Sequence, residues 1–121
     1  MIKDVEIRQA TAEDIKTFYP DGSPRTCYAW VALYRGLPVC IAGLIIQRTG
    51  AIIFSDMLPH GAPKRTAWLV IRELYARIVA LGIPFYTAIE CDNERSRRLF
   101  KHLGMVYLRT VSGEEVYTCP R

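Results

Sequence analysis

The chain has 121 residues, a length that suits one domain with its own apolar core, so residues 1–121 are expected to form a single domain. Half of the residues are apolar and 23% are charged, which excludes a disordered chain, and no apolar run reaches the roughly 20 residues of a membrane-spanning helix. Sixteen Lys and Arg against twelve Asp and Glu leave a net charge of +4. That mild excess suits a phosphate-bearing ligand and is weak ground for nucleic-acid binding. The N-terminal Met1–Glu6 stretch has no apolar signal region, so a soluble, cytoplasmic protein is expected. Cys27, Cys40, Cys91 and Cys119 show no C-x-x-C spacing. Only His60 and His102 could join them at a metal, so the cysteines read as buried reduced thiols and no metal site is expected.

In chain order, Val5-Glu6-Ile7-Arg8 alternates like a strand. Thr11-Ala12-Glu13-Asp14 reads as a helix start, with the Thr11 hydroxyl accepting from the backbone three residues on and Asp14 favouring the positive helix end. Pro20–Pro24 is a loop. Three β-rich runs follow, over 27–34, 38–47 and from 51 onward, joined at Arg35-Gly36 and Arg48-Thr49-Gly50. Short links of this kind predict an antiparallel meander, and Gly43 marks a bulge or a close backbone approach. Trp68, Ile71, Leu74, Tyr75, Ile78 and Leu81 then recur at helical spacing over 64–81, with Pro63 suited to the first position and Gly82 to the end. Residues 84–90 read as a strand, 93–103 as a helix closed by Gly104, and 105–111 and 114–119 as a hairpin turning at Ser112-Gly113. The order is β-α-β-β-β-α-β-α-β-β. The fold class is α/β in the α+β sense: a mixed, mostly antiparallel sheet with helices on both faces and one β-α-β step, which should be parallel and right-handed.

The run Asn93-Glu94-Arg95-Ser96-Arg97-Arg98-Leu99-Phe100-Lys101-His102-Leu103-Gly104-Met105, with the opening Ile7-Arg8-Gln9-Ala10-Thr11-Ala12-Glu13-Asp14, resembles the GNAT family of acetyl-CoA-dependent N-acyltransferases. The element order is similar too, less one of the usual two N-terminal helices. The resemblance implies an enzyme that moves an acetyl group from acetyl-CoA to an amine on a small molecule or a protein. It implies a cleft where the strands at 51–57 and 84–90 part, with the pyrophosphate on the backbone N–H groups of the next helix, where the helix dipole favours an anion. The cofactor-binding positions carried over are Met57, Leu58, Lys64, Arg65, Thr66, Ala67, Asn93 and Phe100.

Two positions depart from the family pattern. Arg65 stands where the family's phosphate turn has a glycine, so Lys64 and Arg65 either bind phosphate by charge or are solvated side chains of a first helical turn. Phe100 stands where many members have a Tyr that protonates the leaving thiolate, and Tyr86 or Ser96 could replace it. Asp56 and Glu90, at strand ends, are the candidate bases; the alternative is a solvated or ion-paired carboxylate. Arg95, Arg97, Arg98 and Lys101 make the late helix basic, either as a solvated face or as a contact for the CoA 3′-phosphate or an acidic partner. Cys91 reads as an inert buried thiol or as a thiol near the reacting group, and His60 as a loop histidine or a cleft residue. The acceptor side is assigned to Tyr19–Thr26 and Val111–Glu115.

A second resemblance is to short GNAT-like proteins of podoviruses, the internal virion protein A type. It rests on Tyr34-Arg35-Gly36-Leu37-Pro38, the Lys64-Arg65 helix start and Phe100. It implies a phage or prophage protein that has lost catalysis and serves as a structural or host-interaction module, with a virion or host protein as partner, in the host cytoplasm or the virion. A homodimer through an exposed strand edge fits either reading.

Overall fold

The computed structural model describes residues 2–22, 27–48, 50–58 and 61–119. His60 and the 23–26 part of the expected acceptor loop lie outside these. The elements are β1 (Val5–Gln9), α1 (Ala12–Phe18), β2 (Cys27–Tyr34), β3 (Leu37–Gln47), β4 (Gly50–Met57), α2 (Lys64–Ala80), β5 (Phe85–Glu90), α3 (Glu94–Leu103), β6 (Val106–Val111) and β7 (Glu114–Thr118). They form one seven-stranded sheet in the order β1-β2-β3-β4-β5-β7-β6. Each neighbouring pair is antiparallel except β4 with β5, which is parallel. This is the mixed sheet with a single β-α-β step that the sequence pattern predicts.

The start of α1 is fixed by a short, dense polar network. The Thr11 hydroxyl accepts from the Asp14 N–H at 3.2 Å while the Asp14 carboxylate accepts from the Thr11 N–H at 2.7 Å, a reciprocal capping box. Arg8, at the end of β1, donates to both Asp14 oxygens at 2.5 and 3.1 Å. Asp14 is 7% exposed, so the ion pair ties the helix to the strand before it from a partly buried position. The sequence pattern shows the cap; the arginine that completes it comes from the neighbouring strand.

The meander of β2, β3 and β4 carries the centre of the sheet. Gly43 lies opposite Ala29, where a Cβ would stand 2.0 Å from the Tyr28 carbonyl oxygen. Gly43 thus marks a close backbone approach. The bulge lies elsewhere, between Ala32 and Leu33, where the partner register skips Val39.

Side-chain alternation then divides the sheet into two faces. On one, Cys40, Ala42, Leu44, Ala51, Phe85 and Ile89 pack in a single cluster with Val70, Leu74 and Ile78 of α2. Those three α2 positions, spaced by four, are the buried row of the helix. Val70 belongs to it, whereas Trp68 is half-buried and meets His102 of α3 edge-on at 5.8 Å. On the other face, Val31 and Ile41 are fully buried near α1.

The helices end as their glycines dictate. Gly82 and Gly104 adopt φ of +74° and +86° just past α2 and α3, a conformation that costs residues with a Cβ more than it costs glycine. Among the described residues no helix is long and apolar enough to cross a membrane.

Because the Arg8 hydrogen bond holds the Asp14 carboxyl below its ordinary range, Asp14 stabilises the fold above its unfolded pKa of about 4 and loses that effect as pH falls through the lower folded value. Asp14→Ala is expected to cost about 1–3 kcal/mol at pH 7 in urea unfolding. The gap from the unchanged protein should narrow steadily below about pH 4.

Candidate functional site

β4 and β5 pair at two positions only, Ala51 with Phe85 and Ile52 with Tyr86. Beyond these β4 stays on β3 as far as Met57 and β5 stays on β7 as far as Glu90. A strand inside a sheet directs its backbone N–H and C=O groups alternately to its two neighbours. Over Ile53–Met57 the side of β4 turned away from β3 therefore has no strand partner. Helices α2 and α3 stand over the gap and close it into a cleft of about 470 Å³. Its walls are mostly apolar: Ile53 and Met57 of β4, Leu74 and Ile78 of α2, and Leu99 and Phe100 of α3 are among them. The apolar stripe of α3 (Leu99, Phe100, Leu103) is only half-buried, because it borders this open space instead of packed side chains.

Asp56 lies at the rim of the cleft, near the end of β4. It accepts a short hydrogen bond from the Tyr19 hydroxyl, from the end of α1, and Tyr19 also packs edge-on against Phe54 at 6.1 Å. Burial, followed by the adjoining carboxylate, pushes the Tyr19 pKa up, so the phenol stays protonated and donates. Phe54 and Asp56 alternate onto the α1 face of the sheet, whereas Ile53 and Ser55 point to the α2 face. The cleft thus has a carboxylate with its own donor on one face and an apolar chamber on the other.

The remaining sequence candidates take distinct places. Phe100 and Met57 line the cleft, with Phe100 edge-on to Tyr117 at 5.4 Å. Glu90, Tyr86 and Ser96 do not border it. Glu90 is exposed and sits opposite Glu114. Tyr86 is in the last β4–β5 pair. Asn93 caps α3, its side-chain oxygen accepting from the Ser96 N–H at 3.1 Å. Leu58 donates its N–H to the Val39 carbonyl.

Lys64, Arg65, Thr66 and Ala67 are the first turn of α2. Pro63 precedes them with no side-chain cap, and the first helical bond runs from the Ala67 N–H to the Pro63 carbonyl at 2.8 Å. The turn contains no acid, and the N–H groups of Lys64, Arg65 and Thr66 have no acceptor among the described residues. Arg65 and Lys64 are exposed, so neither side chain is folded into the protein over the helix end.

The basic α3 helix is partly spoken for. Arg97 bonds Glu94, the Cys91 carbonyl and Glu115, and Tyr117 donates to the same Glu115 at 2.8 Å. This network fastens α3 to β7 and thereby fixes Phe100. Arg95 and Lys101 are exposed and hold no ion pair among the described residues.

The cysteines differ from the expectation of buried thiols: Cys91 is exposed, Cys27 and Cys119 are half-buried, and only Cys40 is buried. Cys40 lines the cleft, and burial followed by Asp56 pushes its thiol up to about 12, so it is no nucleophile at neutral pH. Cys40, Thr87, Leu99 and Leu103 are site residues that the sequence does not single out, while Tyr19, the first residue of the expected acceptor loop, enters the site as the partner of Asp56. The period of α3, read from Phe100, would have shown Leu99 and Leu103 on its side of the helix.

No protein-family model and no curated protein matches this chain. Solved structures do. A spermidine N-acetyltransferase SpeG chimera from Vibrio cholerae and hSSAT superposes with a TM-score of 0.71 at 12% identity, over 97% of this chain and 95% of that one. The ribosomal-protein alanine N-acetyltransferase from Escherichia coli gives 0.70 at 14% identity, over 96% and 93%. The N-acetyltransferase PseH from Campylobacter jejuni gives 0.67 at 6% identity, over 98% and 99%. At these identities the likeness establishes the fold, which is the GNAT fold.

A thiol-reactive dye added to the native protein at pH 8 should modify Cys91 rapidly. Cys40 should react only after unfolding, its rate tracking the loss of native structure; equal rates at both would contradict the burial described here.

Proposed function

We propose that the chain is a single-domain N-acyltransferase that moves an acetyl group from acetyl-CoA to an amine. The observation that supports it most is the parting of β4 and β5 after two paired residues, which leaves an apolar cleft with an open backbone edge. An extended amide-containing arm can add to such an edge as a strand would, its polar groups meeting the free backbone and its methylenes the apolar walls. The residues present fit that ligand. The start of α2 offers three N–H groups with no acceptor among the described residues, no acid and two flanking cations, which suits a pyrophosphate. Arg65 is exposed and so adds charge without obstructing the helix end. Met57, Leu58, Lys64, Arg65, Thr66 and Ala67 would hold the donor, and Phe100 would cover it. Bound there, acetyl-CoA supplies an acyl group activated as a thioester.

The protein's own part is positioning and proton transfer. Asp56, oriented by Tyr19, takes the proton of an acceptor amine arriving on the α1 face. Proximity supplies much of the remaining rate, so the absence of a hydroxyl at Phe100 does not forbid transfer. The acceptor is an amine of a small molecule or a protein in solution.

A second reading draws on Phe100: a catalytically silent module of phage or prophage origin that keeps the fold and binds a virion or host protein. The two readings diverge on turnover.

Titration calorimetry with acetyl-CoA should show saturable binding below millimolar. Lys64→Ala with Arg65→Ala should weaken it about tenfold or more, as expected for two charged phosphate contacts. Asp56→Asn should bind normally and lose about 10²–10⁴ in kcat, followed as free thiol released in the presence of an amine panel. No binding at millimolar acetyl-CoA overturns the proposal; binding without transfer to any amine favours the silent module.

A further inference from the structure

Thr87 is 8% exposed and, with Asp14, one of two polar side chains so deeply buried among the described residues. Asp14 is fully engaged by Arg8 and Thr11. The Thr87 hydroxyl has no hydrogen-bond partner among the described residues, and Thr87 lines the cleft. The residue is buried, but its oxygen is not among the fully enclosed unpartnered atoms of the described residues, so the hydroxyl borders the open space of the cleft. The residue's place gives the hydroxyl a use. Thr87 is the first residue of β5 beyond the last β4–β5 pair, where the cleft narrows to its vertex. It alternates with Phe85 and Ile89 onto the α2 face, whereas Asp56 and Tyr19 lie toward the α1 face.

We infer that the Thr87 hydroxyl is the side-chain donor to the acyl oxygen of the bound thioester, an assignment that rests on the acyltransferase reading above. The amine nitrogen forms the C–N bond with its lone pair, the C–S bond breaks with its electron pair leaving on sulfur, and the amine proton passes to the Asp56 carboxylate. Negative charge grows on the carbonyl oxygen while both bonds are partial. A preorganised donor in a water-poor cleft stabilises that charge more than it stabilises the neutral carbonyl. Donor and base then act on the reacting group from opposite faces of the sheet.

Thr87→Val and Thr87→Ser separate this role from a structural one. Thr87→Val, nearly the same in shape, should leave the Tm of the unliganded protein nearly unchanged. It should weaken acetyl-CoA binding severalfold and leave the affinity for CoA, which has no acyl oxygen, unchanged. Its kcat should fall about 10²-fold, and Thr87→Ser should restore most of it. If Thr87→Val binds acetyl-CoA and CoA in the unchanged ratio and turns over at the unchanged rate, the assignment is wrong while the acyltransferase reading stands. If the unsubstituted protein binds neither ligand, the acyltransferase reading falls and takes this assignment with it.

Discussion

Everything else in this molecule is arranged around a parallel strand pair that lasts two residues. Ala51 and Phe85, each 2% exposed, lock the start of β4 to the start of β5 inside the core. After Ile52 and Tyr86 the two strands follow different partners. A sheet that stayed paired to Met57 and Glu90 would satisfy its own backbone and leave no opening. A sheet that never paired would lose the core beneath α2. The short pairing keeps both a sealed base and an open mouth, and the two helices that border the mouth leave their apolar residues half-exposed for the same reason.

The charges are distributed to match that opening. Arg8 and Arg97 are held in carboxylate networks that secure α1 to β1 and α3 to β7. They are structural, and in each the hydrogen bond to the carboxylate is the leading cause that raises the arginine pKa. The cations with no ion pair among the described residues include Lys64 and Arg65, at the uncapped end of α2. The mild positive excess of the composition is thus divided between fastening the helices and presenting charge at a helix start. Asp56 is an exposed carboxylate whose one side-chain partner among the described residues, Tyr19, gives it a fixed orientation.

Local features were legible in the sequence because their partners are near in the chain. Thr11 and Asp14 are three residues apart and announce a cap; Gly82 and Gly104 follow apolar stripes and announce helix ends; Ser112-Gly113 turns the last hairpin with φ of +50° and +81°. The element order carried the resemblance that the superpositions with N-acetyltransferases support at the level of fold. The site's polar chemistry was less legible because it is made across the chain. Tyr19 and Asp56 are 37 residues apart, Arg97 and Glu115 are 18 apart, and neither pairing has a local signature. Cys40 is buried as expected and Cys91 is exposed against expectation, since burial depends on which neighbour a strand end meets. Thr87 lies between. Alternation within β5 shows a hydroxyl among inward-facing Phe85 and Ile89, but only the packed structure shows that it borders the cleft with no partner among the described residues.

The proposed donor site is the unpaired side of β4. Residue-resolved amide hydrogen exchange, with and without saturating acetyl-CoA, tests it most directly. Slowed exchange is expected at the cleft-facing amides of Ile53–Met57 and at the first-turn amides of α2, with β1 and β2 unchanged. Protection spread evenly over the sheet, or confined to β6 and the basic face of α3, would contradict it.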